Sequence, residues 1–232
     1  GRPQGVPERH HLYVARACPW SQRTLIVRAV LGLDELGVSY ADPYRDERGW
    51  AFTGGRYTDS VNNFRYLSEA YFATESDYDG RISVPVLWDK EEGRIVSNES
   101  ADIVVFLNEW AGGDLYPEEL RAEIDELNEW IYNDLQNGVY KAGFARTQEA
   151  YDEAFRGVFA ALDRLEELLA GRRYLTGDKI TLADWRLLPT LLRFDAVYHT
   201  HFRCNGARLI EYPNLLRYTT DLYHQPGVAE TF

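Results

Sequence analysis

The stretch "ARACPWSQRTLIVRAV", residues 15–30, places a cysteine directly before a proline. The overlapping segment "HLYVARA" (11–17) alternates apolar and polar side chains, which predicts a β-strand. Pro19 suits the first turn of a helix, because the N–H that proline lacks would have no partner there. Apolar side chains then recur at helical spacing as far as Leu33. The stretch therefore predicts a strand, a cysteine and a helix, in that order.

The rest of the chain divides into two parts with different periodicity. Strands are predicted over 38–44, 83–89 and 94–100, and helices near 65–74 and over 99–110. From residue 117 onward apolar side chains recur at helical spacing, and "TLADW" (181–185) has the spacing of a capping box from Thr181 to Asp184. We therefore predict an α/β domain over residues 1–110 and an all-α domain over residues 117–232.

Composition excludes several classes of partner. The net charge of −12 argues against nucleic acid and against an anionic membrane surface. The chain has no run of about 18 uncharged apolar residues, so no membrane helix is predicted, and "GRPQGVPERHH" at its start lacks a signal-peptide pattern. Two cysteines in 232 residues are too few for a disulfide framework, which favours a reducing cytoplasm.

Cys18 has two interpretations. At the start of a helix a thiolate is stabilised by unpaired N–H groups and by the positive end of the helix dipole, which favours a reactive cysteine. Ser21 stands where a C-x-x-C motif would have its second cysteine, so such a site would form a mixed disulfide with a small thiol. The alternative is a buried structural cysteine, and that is our interpretation of Cys204 in "HFRCN".

Two further segments fit a thiol-binding site. A proline inside the strand "SVPVLWD" marks an edge or a turn, and a cis Val84–Pro85 bond would leave the preceding backbone free to pair with a peptide-like ligand. Glu99 and Ser100 lie at a predicted helix N-terminus, which is suited to a carboxylate. The alternatives are an ordinary edge proline and a serine that only caps its helix.

These residues, taken in order, match a known family. Cys18-Pro19-Trp20, Val84-Pro85, Glu99-Ser100 and a later helical "TLADW" resemble the glutathione transferase superfamily. The longer segments "SVPVLWDKEEGRIVSNESADI", "NGVYKAGFA" and "RFDAVYHTHFRCN" resemble its cysteine-containing Xi class, the glutathionyl-hydroquinone reductases. The usual motif there reads C-P-W-A-H-R, so Ser21 and Gln22 depart from it. Family members also run longer, and a C-terminal tyrosine that faces their active site would lie beyond Phe232.

The resemblance implies a fold and a set of roles. The fold would be a thioredoxin-like N-terminal domain followed by an all-α domain, with glutathione as co-substrate in a cytoplasmic homodimer. Cys18 would be the nucleophile, Tyr140 the proton donor, and Tyr198 a neighbour of the sulfur that favours its thiolate form. From the residues alone each tyrosine is one of 16, and a core or surface role is the alternative. The glutathione-binding residues that the resemblance implies are Trp50, Arg81, Ile82, Ser83, Val84, Glu99 and Ser100.

Several alternatives stay open at this point. An omega-like thiol transferase or dehydroascorbate reductase would share the cysteine and would not need Tyr140, and a transferase-like binding module would leave Cys18 inert. Another γ-glutamyl thiol would fit Glu99 and Ser100 as well as glutathione does. No metal is expected, because the pairs "HH" (10–11) and "HTH" (199–201) lack the pattern of a metal site.

Overall fold

The first part of the chain forms a mixed α/β unit. The computed structural model describes residues 6–232, and the contacts among them group the residues up to Gly113, together with Gly227–Phe232, into one compact unit. Its elements in chain order are α1 (Val6–Arg9), β1 (His10–Val14), α2 (Pro19–Val30), β2 (Gly37–Tyr40), α3 (Ser68–Thr74), β3 (Val86–Asp89), β4 (Arg94–Ser97), α4 (Ser100–Ala111) and a short 3₁₀ turn (Ala229–Thr231).

The sheet of this unit has the strand order β2-β1-β3-β4 among the described residues. β1 runs parallel to β2 and antiparallel to β3, and β3 is antiparallel to β4. Every residue of β1 is buried, as expected of a strand with neighbours on both sides. β1 stops at Val14, three residues before the predicted end, because the chain turns there: the Cys18 N–H donates to the Ala15 carbonyl at 3.0 Å.

The second unit, Asp114–Pro226, is helical. Its apolar side chains pack together at the helical spacing that the sequence predicted, and the α/β-plus-all-α fold class is confirmed. Among residues 6–232 no helix is long and apolar enough to cross a membrane. The longer elements of the unit are α5 (Arg121–Trp130), a π-helical segment (Ile131–Gln136), α6 (Gly138–Gly143), α7 (Gln148–Ala170), α8 (Leu182–Arg193), a second π-helical segment (Phe194–Tyr198) and α9 (Pro213–Tyr223).

The division of the chain differs from the predicted boundaries at its end. The sequence assigned residues 117–232 to the helical domain, whereas Gly227–Phe232 group with the α/β unit. The buried side chain of Gln22 explains this, since its Nε2 donates to the carbonyl of Thr231 at 2.5 Å and to its hydroxyl at 2.9 Å. The Arg16 guanidinium also donates to the carbonyl of Phe232 at 2.9 Å.

A buried carboxylate organises the helical unit. Asp184 accepts hydrogen bonds from the Thr181 N–H at 2.8 Å, the Leu175 N–H at 3.0 Å and the Tyr218 hydroxyl at 2.8 Å. It thereby caps α8 and joins that helix to the preceding loop and to α9. Burial raises the pKa of the Asp184 carboxyl, although these donors favour the carboxylate.

We expect Asp184→Ala to lower the free energy of unfolding by about 2–4 kcal/mol, because buried donors lose their acceptor and α8 loses its cap. Asp184→Asn keeps one acceptor oxygen and should lose less. The matched control is Asp178→Ala on the exposed loop before α8, which should change the value by no more than about 0.5 kcal/mol. Urea denaturation followed by circular dichroism measures all three, and equal losses for Asp184→Ala and Asp178→Ala would contradict the capping role.

Candidate active site

Cys18 lies at the junction between β1 and α2. It is the N-cap residue of α2, with φ −95° and ψ 118°, and its side chain is half-buried. The Sγ–H donates to the carbonyl of Val84 at 3.6 Å, and the Cys18 carbonyl accepts the N–H of Gln22 at 3.1 Å. The thiol therefore stands at a helix N-terminus, where the backbone dipoles favour a negative charge.

The Val84–Pro85 peptide bond is cis, as the sequence predicted. The segment before it is tied to α3 through the Tyr71 hydroxyl, which donates to the Ser83 carbonyl at 2.8 Å and accepts the Ser83 N–H at 3.2 Å. Val84 is buried, Ser83 and Ile82 are half-buried, and Arg81 is exposed. Cys18 and Val84 are therefore neighbours, and the backbone beside the thiol is held by Tyr71.

The N-terminus of α4 carries the second predicted pair. Glu99 is the N-cap residue and its side chain is exposed, whereas Ser100 is the first helical residue and only 6% exposed. Ser100 is therefore the first helical residue and not the N-cap of α4. Its Oγ instead accepts a hydrogen bond from the Arg23 guanidinium at 3.1 Å.

Arg23 lies in this region but is not among the predicted glutathione-binding residues. It lies in α2 and is 2% exposed, and its guanidinium lies 4.3 Å from the centroid of the Trp20 ring. It thus links the helix that begins at Cys18 to the N-terminus of α4. Its partner Ser100 is 77 residues away in the chain, so no local pattern indicated this contact.

Trp50 and Ile82 share an apolar cluster with the thiol. Cys18, Trp50 and Ile82 all pack against a buried group that includes Tyr13 and Val84. The Leu67 N–H, at the start of α3, donates to the Trp50 carbonyl at 3.0 Å. This hydrogen bond ties the irregular insert that carries Trp50 to α3. The structure thus brings Trp50, Ile82 and Val84 to the same cluster as Cys18.

Tyr140 and Tyr198 belong to one aromatic cluster in the helical unit. Tyr140, on α6, is half-buried, and Tyr198, at the end of a π-helical segment, is 1% exposed. Their ring centroids are 6.0 Å apart, and Phe202 lies 5.2 Å from each of them. Phe144 extends the cluster to the surface, since it is 70% exposed.

Cys204 has the environment of a structural cysteine. It is fully buried, its N–H donates to the Tyr198 carbonyl at 3.0 Å, and burial raises the pKa of its thiol to about 11. The preceding Arg203 adopts φ +61° and donates to the carbonyl of Gly143 at 2.9 Å, which ties this turn to the end of α6. Cys204 thus supports the backbone of the aromatic cluster.

The histidine pair at the start of the chain is engaged in local hydrogen bonds. His11 Nε2 lies 2.8 Å from the Ser39 hydroxyl, and His10 Nδ1 lies 2.6 Å from the Val6 carbonyl. Burial lowers the pKa of His11 to about 4. Over residues 6–232 no group of three or more His, Cys, Asp or Glu side chains is arranged to hold a metal ion.

Comparison with known proteins gives this geometry a family. The family model for the glutathione S-transferase N-terminal domain matches residues 17–110, and that for the glutathione S-transferase C-terminal domain matches residues 148–221. The glutathionyl-hydroquinone reductase PcpF of Sphingobium chlorophenolicum is 49% identical over 98% of this chain and 76% of its own length. The crystal structure of glutathione transferase Xi from Phanerochaete chrysosporium is 46% identical, covers 99% of this chain and 84% of that one, and has a TM-score of 0.93. This chain belongs to the Xi class of the glutathione transferase superfamily.

The solved structure of one relative contains bound glutathione. The glutathione-bound structure of YqjG from Escherichia coli K-12 is 49% identical in sequence to this Xi-class chain and has a TM-score of 0.94. The match covers 96% of this chain and 76% of the YqjG chain. YqjG is also named a glutathionyl-hydroquinone reductase, and the match spans 97% of this chain and 71% of YqjG.

Ser21 and Gln22, where this Xi-class chain departs from the expected motif, are both buried and form hydrogen bonds. Ser21 Oγ accepts the Ala15 N–H at 3.2 Å, which closes the turn between β1 and α2. Gln22 binds Thr231, as described above. Ser21 therefore supports the turn before Cys18, whereas Gln22 holds the C-terminal segment at Thr231.

We expect iodoacetamide at pH 7.5 to modify Cys18 and to leave Cys204 unmodified. Cys18 is half-buried at a helix N-terminus, whereas the Cys204 thiol is fully buried and its raised pKa keeps it protonated. Peptide mass spectrometry reads both sites, and the same reaction in urea is the control that should modify both. Modification of Cys204 at the rate of Cys18 in the folded protein would contradict the two assignments.

Proposed function

We propose that this protein is an enzyme that reduces S-glutathionyl hydroquinones to hydroquinones, with glutathione as the reductant and Cys18 as the nucleophile. The observation that carries the proposal is a half-buried thiol at the N-terminus of α2, 3.6 Å from the carbonyl that precedes a cis-proline. Relatives that are 49% identical over nearly the whole chain bear the name glutathionyl-hydroquinone reductase.

In the first step the Cys18 thiolate attacks the sulfur of the substrate. A disulfide bond forms between Cys18 and glutathione, and the bond from that sulfur to the aromatic ring breaks. The electron pair of the broken bond stays on the ring carbon, which must then take up a proton.

We assign that proton to the hydroxyl of Tyr140. A tyrosine hydroxyl keeps its proton at neutral pH and can act as a general acid. Tyr140 is half-buried beside Tyr198, Phe144 and Phe202, and this aromatic group supports contact with an aromatic substrate. Tyr198 is assigned to the side of the sulfur, where its hydroxyl would favour the thiolate.

The second step regenerates the enzyme. A second glutathione, as its thiolate, attacks the glutathione sulfur of the mixed disulfide and releases Cys18. The proton that this glutathione loses restores the Tyr140 hydroxyl, which gave up its proton in the first step. The overall reaction converts a glutathionyl-hydroquinone and glutathione into a hydroquinone and glutathione disulfide.

Glutathione is proposed to lie along the segment before Pro85 and to reach the N-terminus of α4. The Val84 backbone would pair with its cysteinyl part, and Ser100 and the exposed Glu99 would hold the carboxylate and the amine of its γ-glutamyl end. Arg81, Ile82 and Ser83 would line the same segment, and Trp50 would cover the ligand. The resemblance also supports a homodimer and a cytoplasmic location, which light scattering and cell fractionation would test.

The first experiment is turnover of a glutathionyl-hydroquinone by the wild type, Cys18→Ala and Cys204→Ala. Cys18→Ala should abolish turnover, because the other thiol, Cys204, is fully buried and cannot reach the substrate. Cys204→Ala, the matched control, should keep most of it. Cys18→Ala near the wild-type rate would end the nucleophile assignment, and a wild type that exchanges small disulfides without turning over this substrate would favour an omega-like thiol transferase.

Tyr140→Phe separates the reductase from simple disulfide exchange. The variant keeps the ring and its packing and removes the hydroxyl proton, so reduction of the glutathionyl-hydroquinone should slow by about 10²–10⁴-fold. Exchange with a small mixed disulfide, whose leaving group is a thiolate, should stay within about threefold of the wild type.

The control for Tyr140 is Tyr132→Phe, an exposed tyrosine in the π-helical segment before α6. It should change neither reaction. If both reactions fall together in folded Tyr140→Phe, the tyrosine has a general binding role. If neither falls, the proton comes from Tyr198 or from water.

A further inference from the structure

Arg23 is a buried cation beside the proposed glutathione site. Its side chain is 2% exposed, although removing a charged group from water is costly unless hydrogen bonds compensate. The Trp20 ring lies against its guanidinium at 4.3 Å, and this contact restricts the orientation of the planar group. An arginine held in this way presents a fixed N–H donor to α4.

The hydrogen bond to Ser100 determines what the serine hydroxyl does. A guanidinium has donors and no acceptor, so in the 3.1 Å contact the Ser100 Oγ is the acceptor. The hydroxyl proton of Ser100 therefore points away from Arg23 and is available for a different acceptor. Ser100 is the first residue of α4, where the helix dipole favours an anion.

These contacts favour one kind of group at Ser100. A carboxylate would accept the Ser100 proton and would also be attracted by the guanidinium behind it and by the helix N-terminus. Without Arg23 the hydroxyl could rotate and serve as donor or acceptor alike, so its preference for an anion would fall.

We propose that Arg23 is a positioning residue for the γ-glutamyl carboxylate of glutathione and acts through Ser100. The inference rests on the proposed function, because it takes the glutathione site from there. Arg23 lies in α2, the helix that begins beside Cys18, and so it joins the nucleophile's helix to the α-carboxylate end of the ligand site.

The test is a double-mutant cycle on ligand binding. Calorimetry measures the dissociation constant of S-methylglutathione for the wild type, Arg23→Met, Ser100→Ala and the double variant. Each single substitution should weaken binding about tenfold, the size of one charge-assisted hydrogen bond. The double variant should be little weaker than either single one, because the two residues act through one contact.

Two controls separate positioning from a general structural effect. Arg28→Met changes another arginine of α2, which binds the carbonyls of Leu36 and Asp34, and it should leave the dissociation constant within about twofold. The cysteinylglycine conjugate of the same hydroquinone lacks the γ-glutamyl group. Arg23→Met should therefore raise the KM for the glutathionyl-hydroquinone without changing the kcat, and leave the kcat/KM for the cysteinylglycine conjugate unchanged.

The outcomes are distinct. Unchanged binding in Arg23→Met, or a hundredfold loss in the double variant, would overturn the proposal, as would equal losses with the glutathionyl and the cysteinylglycine conjugates. If Arg23→Met does not fold, Arg23→Lys replaces it in the same cycle, because lysine keeps the charge but lacks the planar guanidinium. Arg23→Lys should then also weaken the binding of S-methylglutathione, and unchanged binding would overturn the proposal. A wild type that binds S-methylglutathione but does not reduce glutathionyl-hydroquinones would refute the proposed function and leave this inference standing.

Discussion

The turn from β1 into α2 is the constraint on which the site depends. β1 is an inner strand, so its position is fixed by β2 on one side and β3 on the other. The turn after it is closed by the Cys18 N–H on the Ala15 carbonyl and by the Ala15 N–H on Ser21 Oγ. Because α2 begins immediately after this turn, the Cys18 thiol has little freedom to leave the helix N-terminus. Its contact with the Val84 carbonyl then fixes the thiol against the cis-proline segment.

The two cysteines show how much of the chemistry comes from position. Both are thiols in the same chain, but one stands at a helix N-terminus and half-open to solvent, and the other is buried with its backbone N–H tied to the Tyr198 carbonyl. Burial raises the pKa of Cys204 and outweighs the opposing effect of the Arg203 charge. The same side chain therefore serves as candidate nucleophile in one unit and as packing in the other.

Local sequence patterns predicted the elements better than their ends and partners. Pro19 marked the first residue of α2, and the Thr181-to-Asp184 spacing marked α8, because both signals lie within a few residues. The π-helical segments at Ile131–Gln136 and Phe194–Tyr198 were not predicted, since their apolar spacing resembles that of an α-helix. The pairing of Arg23 with Ser100 could not be predicted either, because it requires α2 and α4 to pack side by side. The roles of Tyr140 and Tyr198 came from the family resemblance and not from any local pattern.

The bond between Gln22 and Thr231 has a consequence for biosynthesis. Residues 227–232 follow the whole helical unit in the chain, yet they complete the α/β unit that carries the thiol. A ribosome must therefore translate all of Asp114–Pro226 before the Gln22 amide can meet its acceptors. Until then the nascent α/β unit exposes the face of α2 that this segment later covers. Folding of the thiol-bearing unit is thus finished only after the helical unit has been made, although its sheet and most of its core come first in the chain.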